Sequence, residues 1–264
     1  MRKRWLWLLA AVMVGACACG GGNEKDKTQA FEQESSRTEG EGETEHPGDE
    51  DRESETSKEG SQETKSEEDA DNSQAEEGQK YGDFQTGVWD GLTFTNLWMK
   101  VTVAFPEGTS VLSEEDMRKM VGNSSEILVN SGNYEDIRDK VPKALNIYDF
   151  MVTLPDGRSS VQLAYMNAEK AAPGQALSAA DCLEGMAEEL SAIQDMGYEI
   201  SELKKKDMGG HTFDWLSASL MGGALYQEYY AVRMGDYVAV MTISCDENGR
   251  ALAEEILEGI RAIP

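Results

Sequence analysis

The sequence predicts an α+β fold for residues 81–264, in which helices pack on an antiparallel sheet. Three observations lead to this prediction. Alternating apolar and polar residues indicate strands, turn signals of the Gly-Gly, Gly-Asp and Pro-Asp-Gly type join strands as hairpins, and apolar residues at helical spacing indicate helices. Because strands joined by hairpins pair antiparallel, the helices are expected to cover the apolar surface of the sheet.

The elements follow from these patterns in chain order. Two strands are predicted first, joined near Asn96, and Pro106-Glu107-Gly108 ends the second of them. The further predicted strands are Ile147–Leu154, Ser160–Met166, 198–206, 211–220, 224–233 and 236–244. The predicted helices begin after the capping residues Ser113, Ser178 and Asp246 and reach about Val121, Met196 and Ala262. Residues 122–144 are poorly patterned, with helical turns expected around Tyr134–Lys140.

Two motifs at the start of residues 81–264 resemble those of a known family of domains. The pattern Gly-x-Trp-Asp-Gly-x-x-Phe-x-Asn spans Gly87–Asn96, and the second strand ends in Phe105-Pro106-Glu107-Gly108. With the element order, they resemble the PsbP-like α/β/α sandwich domains of small bacterial surface lipoproteins, over most of residues 85–263. Thr109 departs from the pattern, where an aromatic residue is expected. The resemblance implies a non-catalytic binding or assembly role and carries over no site residue.

The N-terminus has the features of an export signal. Three basic residues precede the apolar run Trp5–Val14, which is too short to cross a hydrocarbon core of about 30 Å as a helix. Val14-Gly15-Ala16-Cys17 resembles the bacterial lipobox, which implies cleavage after residue 16 and lipidation of Cys17, with diacylglycerol and palmitate-type chains. Cys19 is a poorer match. An ordinary cleaved signal and a retained anchor helix remain as alternatives.

Residues 17–80 are predicted to be a disordered acidic tether. Residues 23–80 contain 21 Asp or Glu and 7 Lys or Arg, and they lack Val, Ile, Leu, Met and Trp. Such a composition cannot bury enough apolar surface to offset the entropy of ordering. The segment is interpreted as a spacer between the membrane and a single α+β domain at 81–264, with an acidic interaction tail as the alternative.

The charge disfavours two classes of partner. The chain has a formal net charge of −26, and no basic stripe is present that would contact the phosphates of a nucleic acid. Attraction to anionic lipid headgroups is disfavoured for the same reason. The basic run Lys204–Lys206 lies between Glu202 and Asp207, so a solvated strand or turn explains it better.

No motif predicts an enzyme, a cofactor or a metal site. His211 is the one histidine of residues 81–264, whereas catalytic zinc usually takes two or three. His211 and Asp214, three residues apart in a strand, face opposite sides, which disfavours a catalytic triad. The adjacent carboxylates at 188–189 and 254–255 are expected to be solvated on helices. A hydrolase that acts on envelope polymers through paired carboxylates therefore stays as the alternative function.

Two further sets of residues remain open from sequence alone. Cys182 and Cys245 are candidates for a disulfide if the domain is exported, and buried free thiols otherwise. Trp89, Trp98, Tyr226 and Tyr230 are candidates for a partner surface, with core packing as the alternative. The expected protein is thus a lipid-anchored lipoprotein on the extracytoplasmic face of a membrane, whose non-enzymatic domain binds an envelope protein or glycan.

Overall fold

The structure is a computed structural model that describes residues 83–122, 124–193 and 196–264. The predicted signal peptide at 1–16, the lipidation site Cys17 and the predicted tether at 17–80 lie outside the described residues.

The described residues form strands, short 3-10 helices and four α-helices, most of them where the pattern predicts them. The strands are β1 Val88–Asp90, β2 Thr93–Asn96, β3 Val101–Ala104, β4 Ser110–Val111, β5 Ile127–Val129, β6 Asn146–Thr153, β7 Ser160–Asn167, β8 Glu199–Ile200, β9 Lys204–Met208, β10 His211–Leu220, β11 Leu225–Met234, β12 Tyr237–Cys245 and β13 Arg261–Ala262. The α-helices are α1 Glu114–Val121, α2 Ala168–Ala171, α3 Ala179–Ala192 and α4 Arg250–Gly259. The 3-10 helices are Tyr134–Asp136, Val141–Lys143 and Glu247–Gly249.

The strands form two sheets. The larger has nine strands in the order β4-β6-β7-β12-β11-β10-β8, with β5 added beside β6 and β9 beside β10. The smaller has the order β1-β2-β3-β13. Among the described strands every pairing is antiparallel except that of β5 with β6. The α+β class with antiparallel pairing is therefore confirmed.

The large sheet is covered on both faces. Helices α1 and α3 pack on one face, and α4 and the small sheet pack on the other. Strand β12 shows the consequence, because all nine of its residues are buried. Its side chains alternate between the two cores, with Val238 and Val240 in one and Ala239 and Met241 in the other. A strand buried on both faces has a continuous apolar sequence rather than an alternating one.

The helix starts follow the predicted capping chemistry. The side chain of Ser113 accepts a hydrogen bond from the backbone N–H of Asp116. Ser178 and Asp181 form a reciprocal capping box at the start of α3. Asp246 accepts from the backbone N–H groups of Asn248 and Gly249, in the 3-10 turn that leads directly into α4. Each cap satisfies backbone donors that a helix start leaves without partners.

The structure differs from the sequence prediction where short strands depend on distant partners. The last helix ends at Gly259 rather than near Ala262, because Arg261 and Ala262 pair with β3 as β13. Strands β1, β4 and β5 were not predicted, and the strand predicted at 198–206 is two short strands, β8 and β9. Strands of two or three residues contain too little periodicity to be recognised, since their pairing partners define them.

No helix in the described ranges is both long enough and apolar enough to span a lipid bilayer.

Close packing around the turn between β9 and β10 restricts which residue can replace Gly209. Gly209 has a positive φ of 57°, and a Cβ there would lie 2.8 Å from Ile260 Cγ2 and 3.1 Å from Val101 Cγ1. Gly222 also has a positive φ, but it has nothing within 4 Å of a Cβ. We expect Gly222→Ala to lower the free energy of unfolding by about 1 kcal/mol and Gly209→Ala by about 3 kcal/mol, because only the latter adds overlap to backbone strain. Urea unfolding measures both, and equal losses would contradict the constraint.

Candidate functional site

A groove of about 1180 Å³ is the candidate site. It opens where the segment before β1 meets the 3-10 turns after β5 and the turn between β11 and β12. Its lining residues are Asp83, Phe84, Gln85, Trp98, Tyr134, Glu135, Arg138, Asp139, Val141, Pro142, Asn167, Met234, Gly235, Asp236 and Tyr237. The groove thus combines aromatic and aliphatic side chains with carboxylates.

Aromatic rings form the floor of the groove. The ring centroid of Phe84 lies 4.9 Å from that of Trp98, 5.0 Å from that of Tyr165 and 4.6 Å from that of Tyr237. The rings of Trp98 and Tyr165 meet edge to face at 5.6 Å. Such contacts are favourable beyond the area they bury. Phe84, Trp98 and Tyr237 line the groove, and the ring of Tyr165, which is not a lining residue, packs against two of them. Since all four side chains are at least nine-tenths buried, the floor is a fixed surface.

Charged side chains line the groove around this floor. Asp83, Glu135, Asp139 and Asp236 are exposed carboxylates, and Arg138 is the one cationic residue among the lining residues. The guanidinium of Arg138 lies 3.2 Å from Glu135 Oε2, so part of the cationic charge is already paired. The groove therefore presents an excess of negative charge beside its apolar surface.

A buried carboxylate lies beneath the floor. Asp149 is 2 % exposed, and strand β6 contains it as an extra residue between Tyr148 and Phe150, which breaks the register with β7. Its two oxygens accept hydrogen bonds from the Gly87 N–H at 3.0 Å, Tyr165 Oη at 2.6 Å, Asn96 Nδ2 at 3.2 Å and Asn130 Nδ2 at 2.8 Å. A bulge leaves one residue of a strand unpaired and can thereby redirect a side chain, here the carboxylate of Asp149.

Both asparagines are held in the orientation that donates to Asp149. Asn96 Oδ1 accepts from the Met99 N–H at 2.7 Å. Asn130 Oδ1 accepts from the Gly132 N–H at 3.0 Å and from Thr86 Oγ1 at 3.3 Å. Because the amide oxygens are engaged elsewhere, the amide nitrogens face the carboxylate. The network thereby joins the segment before β1, the end of β2, the end of β5 and strand β6.

Gly87 reaches Asp149 only because it has no side chain. A Cβ at this position would lie 2.2 Å from the ring of Phe94 and 2.9 Å from the carbonyl oxygen of Thr95. The motif residues Gly87 and Asn96, which the sequence resemblance singled out, therefore meet at one carboxylate. Sequence reasoning missed Asp149 itself, although it is the acidic residue within the apolar strand predicted at Ile147–Leu154.

Burial controls the titration of this network. Loss of water raises the pKa of Asp149 to about 6, although its hydrogen-bond donors act in the opposite direction. Burial and the neighbouring Asp149 raise the pKa of Tyr165 well above its usual value, so the phenol stays a donor. The network is a proton-sensitive support for the groove floor rather than an exposed reacting group.

The structure separates the four aromatic residues proposed as a partner surface. Trp98 lines the groove, whereas Trp89 packs half-buried against Phe94, Phe105 and Phe150. The other two lie on β11. Tyr226 is half-buried under the guanidinium of Arg250, whose carbon is 4.4 Å from the ring centroid. Tyr230 is 1 % exposed and donates its hydroxyl to Glu228.

The disulfide considered between Cys182 and Cys245 does not form in this structure. Both thiols are free and buried. Cys182 belongs to the core beneath α3, and Cys245 belongs to the core beneath α4, so the large sheet lies between them. Burial raises the pKa of Cys182 to about 12 and that of Cys245 to about 11. Both are therefore thiols rather than reactive thiolates near neutral pH.

The remaining residues considered for chemistry have structural surroundings. His211 Nε2 lies 2.6 Å from the backbone oxygen of Met99, which links the β9–β10 hairpin to the turn after β2. At the two carboxylate pairs, Glu188, Glu254 and Glu255 are exposed, and Glu189 is half-buried. Within the described residues, no three His, Cys, Asp or Glu side chains are placed to hold a metal ion together.

Comparison with known proteins finds similar structures but no similar sequence. No family model and no curated protein matches the chain. It is similar to the solution structure of cyanobacterial PsbP (CyanoP) from Synechocystis sp. PCC 6803, with a TM-score of 0.41, 10 % identity and coverage of 69 % of this chain and 95 % of that one. It is also similar to LpqN, involved in cell envelope biogenesis of Mycobacterium tuberculosis, with a TM-score of 0.35, 13 % identity and coverage of 62 % and 83 %.

The Asp149 network predicts a pH-dependent loss of stability on removal of one donor. The pKa of Asp149 is raised from its ordinary value near 4 to about 6 in the folded state. The contribution of Asp149 to the free energy of unfolding is therefore fully present below about pH 4, and it is lost as the pH rises through about 6. Asn96→Ala removes a donor to the ionised form and leaves the Met99 N–H unsatisfied. We expect a loss of about 2 kcal/mol at pH 5 and about 1 kcal/mol more at pH 8, measured by urea unfolding. The exposed Asn248→Ala serves as the control, and a pH-independent loss in Asn96→Ala would contradict the role of Asp149.

Proposed function

We propose that this protein is a lipid-anchored lipoprotein on the extracytoplasmic face of a membrane, whose domain binds an envelope component through the aromatic groove. The groove is the observation that carries the binding role. It joins a fixed floor of buried rings to exposed polar groups, a combination that is typical of binding sites. The lipobox-like Val14-Gly15-Ala16-Cys17 supports the anchor.

The surroundings of the potential nucleophiles support a non-enzymatic role. The two cysteines of the domain are buried with raised pKa values. The ring of its one histidine contacts a backbone oxygen rather than a serine or cysteine. Asp149, whose pKa is raised, is enclosed by the donors that hold it and lies beneath the floor. These groups hold the fold together, and the groove side chains supply the surface for a partner.

The lipid anchor predicts a position-specific effect at the N-terminus. Cys17→Ser should abolish incorporation of an alkyne-labelled palmitate and should move the protein from the detergent-rich to the aqueous phase on phase separation. The reason is that stable anchoring depends on the acyl chains carried by one cysteine. Cys19→Ser is the matched control and should leave both properties unchanged. Labelling that depends on Cys19, or that survives loss of both cysteines, would contradict the proposal.

If the groove is the binding site, a cross-linker placed in it should capture the partner. A photoreactive benzoylphenylalanine at Gln85, an exposed residue of the groove, should cross-link one envelope component in intact cells. The same group at Glu255, exposed on α4, is the control and should give no such product. Gel shift and mass spectrometry identify the product. Identical products from both positions, or none from Gln85, would reject the groove as the binding site.

A further inference from the structure

We propose that the groove takes a basic polypeptide segment of a partner protein, with lysine or arginine side chains interspersed with apolar ones. This inference rests on the proposed function, since it specifies what the groove binds. It follows from the charge and the shape of the groove, together with the acidic net charge of the chain.

The charges of the groove favour a cation. Asp83, Asp139 and Asp236 are exposed at the groove, while Arg138 is paired with Glu135. Each exposed carboxylate contributes little alone. Three of them beside walls of low dielectric act together, because a concave surface concentrates the field of one sign. The same carboxylates would repel an anionic ligand.

The apolar lining favours a polypeptide over a simple polycation. Among the apolar lining residues, Pro142 is exposed and Tyr134 is half-buried, whereas Val141 and Met234 are buried. A polyamine would leave the apolar surface of Pro142 and Tyr134 unused. Lysine and arginine lay their aliphatic stems on apolar surface while the charged end stays in water. The volume of about 1180 Å³ also exceeds the range of about 300–1,000 Å³ that is typical of small-molecule sites. A segment of several residues uses both properties.

The chain's own acidic segment is excluded as the occupant by its charge. Residues 23–80 contain 21 Asp or Glu against 7 Lys or Arg, and this segment precedes Asp83 at the groove. The carboxylates of the groove repel such a sequence. For a basic partner, the formal net charge of −26 of the chain adds long-range attraction and increases the rate of encounter at low salt.

The test is peptide binding to the full chain, extracted in a neutral detergent. The probe is a fluorescein-labelled Gly-Lys-Leu-Lys-Tyr-Arg-Gly peptide, followed by anisotropy at two salt concentrations. The combined variant Asp83→Asn, Asp139→Asn and Asp236→Asn should raise Kd at least about tenfold and reduce its dependence on salt. A matched variant with equal loss of charge elsewhere, Asp90→Asn, Glu107→Gln and Glu184→Gln, should change Kd less than about twofold. Circular dichroism checks that both variants fold.

Three results would overturn the inference: equal weakening by both variants, equal affinity for a peptide with Glu in place of Lys and Arg, or equally tight groove-dependent binding of spermine. The first would assign binding to the overall charge, the second would remove the charge preference, and the third would show that a polycation suffices. If the basic peptide fails while benzoylphenylalanine at Gln85 still captures one partner, the inference fails and the proposed function stands. Failure of both experiments rejects both.

Discussion

The fold is organised around one buried carboxylate. Asp149 accepts hydrogen bonds from Gly87, Asn96, Asn130 and Tyr165, which lie in separate parts of the chain. Isolated burial of a carboxylate is strongly unfavourable, so these donors are required for it to be tolerated. In return, they fix where the small sheet and the segment before it meet the large sheet. Apolar contacts alone specify such a position less sharply, because many packings bury similar area.

The hydrogen bonds to Asp149 also determine the shape of the groove. The hydroxyl of Tyr165 donates to Asp149, while its ring packs against Phe84 and Trp98 on the groove floor. The same carboxylate holds Gly87, three residues after Phe84, which fixes the path of the chain that lines one side of the groove. A change in the charge of Asp149 therefore affects the position of the rings on the groove floor, although Asp149 itself is buried beneath them. The binding surface and the structural centre share side chains, so substitutions must be chosen among the exposed residues of the groove if binding is to be separated from stability.

Sequence reasoning was most successful where local chemistry decides the structure. The capping residues Ser113 and Ser178 and the long strands β10 and β12 carry their signals within a few residues. It failed where a partner far along the chain decides, as for β13, which pairs with β3. The site was predicted only in part. Trp98 was selected for its aromatic ring, and the helical turns expected around Tyr134–Lys140 correspond to the 3-10 helix Tyr134–Asp136. Neither pattern indicates that these parts meet at one groove, and no periodicity indicates which acidic residue is buried.

The distribution of charge connects the groove to the rest of the chain. Under the proposed lipid anchor, repulsion between the acidic domain and anionic lipid headgroups would favour separation of the domain from the membrane. Asp83, the first described residue, is one of the exposed carboxylates of the groove. A cationic partner would be attracted by Asp83, Asp139 and Asp236, whereas an acidic competitor would be repelled by the same side chains. Selectivity for charge is thus a property of these exposed carboxylates, and the aromatic rings of the groove add the apolar contact that charge alone lacks.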